Sequence, residues 1–248
     1  MAGHSKWANI KHRKGRQDAA RGKLFAKLAR AIEAAAKSGG GDIEGNPSLA
    51  QAVAKAKAAS MPNDNIDRAI KRGTGEASEG VIYEEYFYEG YGPGGVAFLV
   101  KILTDNRNRA SSDVRVAFTR NGGHLGEPGS VAYLFDQRGY VLVEGDEDEV
   151  MLTALDAGAD DVKEAGDGRF EVITEPSAFI GVRPGIEDGG MAIEQAEVTY
   201  LPKTVVAMDA DGASKVLRLI DALEDVDDVQ DVYANFDIPD DVMESLEA

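Results

Sequence analysis

The residues of this chain best suited to chemistry lie at its N-terminal end. Lys6, Lys11, Arg13, Lys14, Arg16, Arg21, Lys23, Lys27 and Arg30 crowd into one stretch, with Trp7 set among them. Cations at this density neutralise phosphates and release their counterions, so any resulting contact weakens steeply with salt. An indole face can stack on an exposed base, worth about 1–3 kcal/mol per base. Trp7 is equally suited to packing on a helical bundle. Lys71 and Arg72 extend the basic set, although cations at a helix end also have an ordinary capping role. These twelve residues are the candidate nucleic-acid contacts. Lys6, Lys11, Arg13, Lys14, Arg16, Lys23, Lys27 and Arg30 are the main phosphate ligands among them. Phosphate contacts position a protein but carry no sequence information, and the pattern shows no recognition helix.

Other chemistries find little support. The chain has no cysteine, which excludes disulfides, thiolate metal sites and cysteine nucleophiles. Its histidines, His4, His12 and His124, have no partner at metal-ligand spacing. Gly90–Gly95 matches G-x-G-x-x-G, but the dinucleotide fingerprint needs a helix after it. Here the β-like run Val96–Val100 follows, so a hairpin loop is expected. The acidic runs Glu144–Glu149 and Asp225–Asp231 lack calcium-loop spacing and read as solvated surface. Asp105-Asn-Arg-Asn-Arg109 reads as a capped helix start, with Asn106 or Asn108 satisfying free N–H groups. The sequence therefore predicts no enzyme, no catalytic residue, no cofactor, no metal and no small-molecule substrate. Its apolar runs fall far short of the roughly 20 residues a membrane helix needs, so a soluble, cytoplasmic protein is expected.

Three amphipathic helices must position the basic set. The first spans Lys23–Lys37, with Leu24, Leu28, Ile32 and Ala35 on one stripe and Lys23, Lys27, Arg30 and Lys37 roughly opposite. The second opens at Asn46-Pro47, a cap followed by proline at the first helical position. The third begins near Pro62 and ends at Lys71-Arg72-Gly73. Beyond Glu76 the pattern turns to strands at Tyr83–Tyr91 and Val96–Thr104, then a helix over Arg109–Asn121. Strands are expected at Val131–Phe135 and Tyr140–Glu144. A helix over Asp146–Ala157, a hairpin around Gly166–Gly168, a helix from Pro176 and a strand at Ala196–Leu201 follow. Thr204–Met208, a helix over Gly212–Leu223 and Val229–Phe236 complete the chain.

The fold class is α+β: a three-helix domain followed by two α/β domains, at least one of them ferredoxin-like βαββαβ. The expected domains are residues 1–76, basic and helical; 77–130 plus 202–238, discontinuous; 131–201, inserted and ferredoxin-like; and an acidic tail over 239–248. The formal net charge of −17 conceals this division. Residues 1–75 hold 15 Lys+Arg against 6 Asp+Glu, a balance of +9, while residues 76–248 hold 12 against 38, a balance of −26. Such asymmetry points to a polyanion at one end of the molecule only.

The strings MAGHSKWANIKHRKGRQDAARGK, SGGGD, NPSL, KAKAASMPNDNIDRAIKRGTGE, YEGYGPGGVA, LTDNRNR and GSVAYLF resemble the YebC/PmpR family over essentially the whole chain. The resemblance implies an N-terminal helical domain followed by two α/β domains. It implies a cytoplasmic, probable transcriptional regulator that binds DNA. Some relatives, mitochondrial ones included, are instead linked to translation, acting on the ribosome at proline-rich stretches, which makes rRNA the alternative partner. The family supplies no catalytic residues to carry over.

Overall fold

The computed structural model describes residues 19–76, 81–239 and 242. Helix α1 (Ala19–Gly39) packs against α2 (Pro47–Ala58) and α3 (Asn63–Gly73). Its buried stripe is Ile32 and Ala36, with Phe25, Leu28, Ala29 and Ala35 partly covered. This face is rotated from the expected one, and Leu24 lies 45% exposed. The rotated face is the one α3 approaches closely. A Cβ on Gly73 would sit 2.4 Å from the Glu33 carbonyl oxygen and 2.7 Å from Ala36 Cβ. Only glycine lets α3 lie that near the Glu33–Ala36 edge of α1. Asn46 caps α2 as its sequence predicts: Oδ1 accepts from the Leu49 N–H at 3.1 Å. Its Nδ2 donates to the Ala35 and Gly40 carbonyls, which ties the start of α2 to the end of α1.

The next unit is built from two separated stretches of chain. Strands β1 (Glu84–Tyr91), β2 (Ala97–Thr104), β3 (His124–Leu125) and β9 (Val229–Ala234) form an antiparallel sheet in the order β3-β1-β2-β9. Helices α4 (Arg107–Arg120) and α7 (Ala210–Glu224) cover one face. β2 is buried on both faces, which is why AFLVKILT reads as a nearly continuous apolar run. Phe98, Val100 and Ile102 meet the helices. Ala97 and Leu99 meet Val131, Phe135 and a cluster containing Phe87, Tyr91, Tyr200 and Tyr233. Asn106 caps α4, accepting from the Arg109 N–H at 3.1 Å. Gly92–Gly95 is a turn between β1 and β2, as a hairpin loop requires.

The remaining unit holds β4 (Phe135–Glu144), α5 (Glu147–Asp156), β5 (Asp161–Gly166), β6 (Arg169–Thr174), α6 (Phe179–Asp188) and β7 (Ala192–Pro202). Its strand order is β5-β6-β4-β7 with every neighbour antiparallel, the ferredoxin-like arrangement. The expected strand Tyr140–Glu144 reaches back to Phe135 as β4, whereas most of the expected strand Val131–Phe135 is instead a 3-10 turn over Ala132–Leu134. Gly139 is paired on both sides, to Thr174 and Val198. A Cβ there would meet Thr174 Cγ2 at 2.5 Å and Phe179 Cβ at 2.9 Å, so its glycine is a packing requirement. The expected strand over Thr204–Met208 shortens to β8 (Val206–Ala207), paired in parallel with β10 (Phe236–Asp237).

Glu89 anchors the segment joining the two sheet units. Its carboxylate accepts from the N–H groups of Gly129, Val131 and Ala132 at 2.6, 2.7 and 2.8 Å. Burial pushes this carboxyl up, but the three donors outweigh it and hold its pKa below the ordinary glutamate value. A depressed carboxylate stabilises the fold above its unfolded pKa, about 4.3. That contribution disappears as pH falls through the folded value. Glu89→Gln should therefore lower the melting temperature at neutral pH, losing about 1–3 kcal/mol for charged hydrogen bonds. The difference from the parent protein should shrink below pH 4 in a thermal-melt series. A constant difference across pH would contradict this account.

Candidate nucleic-acid interface

The predicted contacts fall into separate environments. Lys6, Trp7, Lys11, Arg13, Lys14 and Arg16 lie outside the described residues. Arg21 is exposed, with its guanidinium 5.5 Å from the Phe25 ring centroid. Lys71 is exposed near the end of α3. Arg72 turns inward, and its Nε donates to Glu33 Oε2 at 3.1 Å. Lys23, Lys27 and Arg30, spaced along one side of α1, meet the acidic end of α7.

These three cations complete a helix terminus that lacks its own. α7 has no basic residue in its last turn, where terminal carbonyls carry partial negative charge. Instead Glu224 and Asp225 sit there, on the unfavourable end for acids. Lys27 Nζ donates to the Glu224 carbonyl. Lys23 Nζ lies 3.4 Å from Asp225 Oδ1. Arg30 Nη1 donates to the Asp227 carbonyl at 2.7 Å and to Asp228 Oδ1 at 3.2 Å. Its guanidinium also lies 5.8 Å from the Tyr83 ring centroid. The cationic stripe read from α1 therefore serves as the seam between the helical unit and the sheet body.

Asp228 is the centre of the seam. Its side chain is only 2% exposed. Arg109 grips it from the other side, with Nε on Oδ2 at 3.1 Å and Nη2 on Oδ1 at 3.0 Å. Arg109 also pairs with Asp105 at 2.7 Å, and that hydrogen bond lowers the pKa of the Asp105 carboxyl. The DNRNR cluster is thus both a capped helix start and half of an interdomain clasp. The clasp half requires a carboxylate 119 residues away, which local spacing cannot reveal.

Lys55, absent from the sequence-derived set, makes the second fastening. Its ammonium lies 3.1 Å from Glu197 Oε2 on β7 and 3.4 Å from Asp231 Oδ1 on β9. One α2 residue therefore joins the helical unit to both sheet units. Burial pushes its pKa down, but the two carboxylates prevail and raise it above the ordinary lysine value. The signal available in sequence was position: Lys55 lies off the Leu49, Val53 and Ala56 stripe.

On the helical unit, Arg21, Lys57, Arg68 and Lys71 are the exposed cations of residues 21–76 that make no hydrogen bond or ion pair with the described sheet body. Arg68 shares the outer side of α3 with Asp64 and hydrogen-bonds to its carbonyl and to Asn65. Among the described residues, no group of three or more His, Asp or Glu side chains is arranged to hold a metal ion. No described helix is long and apolar enough to cross a membrane.

Fold and seam together define a three-part α+β chain in which a basic helical unit is clasped to an acidic sheet body. Residues 5–76 match the family model for the TACO1/YebC N-terminal domain, and residues 83–236 match that for the TACO1/YebC second and third domains. The chain belongs to the TACO1/YebC family. It is 58% identical to a probable transcriptional regulatory protein of Frankia casuarinae, over 98% of each chain. It is 59% identical to one of Rubrobacter xylanophilus, also over 98% of each. A solved structure of a conserved hypothetical protein from Aquifex aeolicus has 48% identity and a TM-score of 0.79, covering 90% of this chain and 93% of that one.

The seam makes a direct expectation. Lys55→Met should destabilise the protein by about 1–2 kcal/mol, between the values for exposed and buried ion pairs. It should also loosen the helical unit, seen as faster proteolysis between α3 and β1. In a double-mutant cycle with Glu197→Gln the two losses should not add. Additive losses would mean that the two charges do not interact.

Proposed function

We propose that this protein is a non-enzymatic, cytoplasmic regulator that binds nucleic acid through its basic helical end and acts in transcription. The observation that carries the reading is the division of charge: a balance of +9 over residues 1–75 against −26 over the rest. A body this acidic repels a phosphate backbone by the same Coulomb term that draws the basic end to it. Initial contact is thereby directed to the basic end and sets one orientation. Relatives named as probable transcriptional regulatory proteins support the process assigned.

The seam refines which cations serve. Lys23 pairs with Asp225, Lys27 donates to the Glu224 carbonyl and Arg30 grips Asp228, so we assign these three to orienting the basic end. We assign phosphate contact to Lys6, Lys11, Arg13, Lys14 and Arg16, together with Arg21 and Lys71, and Trp7 is the stacking candidate. The same groups suit rRNA. The acidic body favours that second reading, because a ribosome interleaves phosphate with basic protein that can face carboxylates.

Fluorescence anisotropy with duplex DNA and with rRNA fragments, titrated across salt, tests the assignment. Log affinity should fall linearly with log salt, by roughly 0.9 per phosphate contacted on duplex DNA and 0.7 on single strands. Replacing Lys11, Arg13, Lys14 and Arg16 by Ala should flatten the slope. Replacing Lys23 and Lys27 by Ala should lower thermal stability and leave the slope nearly unchanged. A slope near zero for the intact protein would sink the reading. Tighter binding to rRNA fragments, with co-sedimentation on ribosomes, would select the translational alternative.

A further inference from the structure

The acidic body holds a cationic cavity that the basic end does not explain. It measures about 360 Å³ and is lined by Pro93, Arg120, Asn121, Gly122, Lys215 and Arg218. Three elements meet there: the glycine-rich turn between β1 and β2, the C-terminal end of α4, and the outer side of α7. No carboxylate is among the lining residues.

The pairing of the body's cations sets this cavity apart. Residues 76–248 contain twelve lysines and arginines. Nine of them lie within 4 Å of a carboxylate: Lys101, Arg107, Arg109, Arg138, Lys163, Arg169, Arg183, Lys203 and Lys215. With acids outnumbering bases about threefold, such pairing is the expected state. Arg115, Arg120 and Arg218 make no ion pair among the described residues, and two of these three line the cavity together. Arg218 donates only to Ser214 Oγ, at 3.3 Å. Lys215 pairs with Asp211 one turn earlier. Even counting Asp211, cations outnumber acids three to one at this spot.

Arg120 alone would be an ordinary cation at a helix C-terminus. Arg218 and Lys215 have no such role, because they project from the interior of α7. Buried Ala213, Val216, Leu217 and Ile220 fix the opposite side of that helix, so the two cations are held outward on a rigid element. Guanidinium groups suit a phosphate because their planar forks donate paired hydrogen bonds to its oxygens. The pyrrolidine ring of Pro93 adds an apolar wall, which a sugar or base can cover and a bare anion cannot use.

We propose that this cavity binds a phosphodiester of a nucleic-acid strand, with Arg120 and Arg218 as its phosphate ligands and Lys215 supporting them. The identity of the ligand rests on the nucleic-acid reading above, but the site is built from residues of the sheet body alone. It gives the acidic body one point at which a strand can pass without repulsion.

The test is an NMR titration of the isotopically labelled full chain with a short oligouridylate, run beside inorganic phosphate at matched ionic strength. Amide signals of Arg120, Gly122, Lys215 and Arg218 should shift and saturate with the oligonucleotide, at a phosphate concentration at least tenfold below that required for inorganic phosphate. In Arg120→Ala/Arg218→Ala these shifts should vanish and affinity should fall about tenfold, as loss of charged hydrogen bonds implies. Both residues are exposed, so the variant should keep the parent melting temperature. Shifts confined to residues 6–30 would overturn this site and leave the nucleic-acid reading standing. Shifts in neither region would overturn both. Equal response to inorganic phosphate would reduce the cavity to a small-anion site and overturn the strand assignment. Cavity shifts that survive removal of both arginines would overturn the assigned ligands.

Discussion

Asp228 is the group on which the arrangement of this molecule turns. Its carboxylate is almost fully withdrawn from water and is held by Arg30 of the helical unit and Arg109 of the sheet unit. Its carbonyl accepts from the Leu103 N–H at 2.9 Å, fixing it to β2. A withdrawn charge held in this way contributes little net stability, because desolvation offsets much of the attraction. What it supplies is uniqueness. Any other docking of α1 would leave this carboxylate with one guanidinium instead of two, at a penalty an apolar contact does not impose. Lys55 applies the same logic at a second point, and two fixed points on separate helices prevent α1 and α2 from pivoting on the body.

Stability comes from elsewhere. The two sheets join through aromatic side chains, with Phe87 and Tyr200 ring centroids 5.3 Å apart and Tyr200 and Tyr233 5.1 Å apart. Such pairs add about 0.5–1.5 kcal/mol each beyond the area they bury. Burial also pushes the Tyr233 hydroxyl pKa upward, with Asp231 and Glu197 acting in the same direction. That phenol therefore stays neutral beside the carboxylates that hold Lys55. The aromatic joint and the Lys55 fastening share residues of β7 and β9, so the apolar and ionic contacts set one relative position of the three units.

Local patterns in the sequence were sufficient for the elements and insufficient for the seam. Asn46-Pro47, Asn106 and the continuous apolar run of β2 act through neighbours a few residues away, so composition and spacing reveal them. The packing role of Gly139 is not legible in sequence, because its partners, Thr174 and Phe179, are distant along the chain. The stripe of Lys23, Lys27 and Arg30 was legible as a stripe, but its counterpart was not. Lys23 and Asp225 are 202 residues apart, and no periodicity in α1 encodes which acidic surface it will meet. The acidic run Asp225–Asp231 read as solvated surface for the same reason, although Asp228 is among the most buried polar residues described.

The seam also changes what net charge means for this chain. Arg30, held against the withdrawn Asp228 carboxylate, has its charge largely compensated before any external polyanion is met, whereas Lys27, on a carbonyl, and Lys23, in an exposed pair, keep most of theirs. The +9 of residues 1–75 therefore overstates the charge available for binding. The two uses also respond differently to salt. Mobile ions screen an exposed cation within about 8–10 Å at physiological strength, whereas pairs as withdrawn as Arg30–Asp228 are screened far less. Rising salt should thus weaken contact with phosphate well before it loosens the seam. On the nucleic-acid reading proposed above, the basic end would release its ligand as salt rises while Arg30 and Lys55 keep the helical unit oriented on the acidic body.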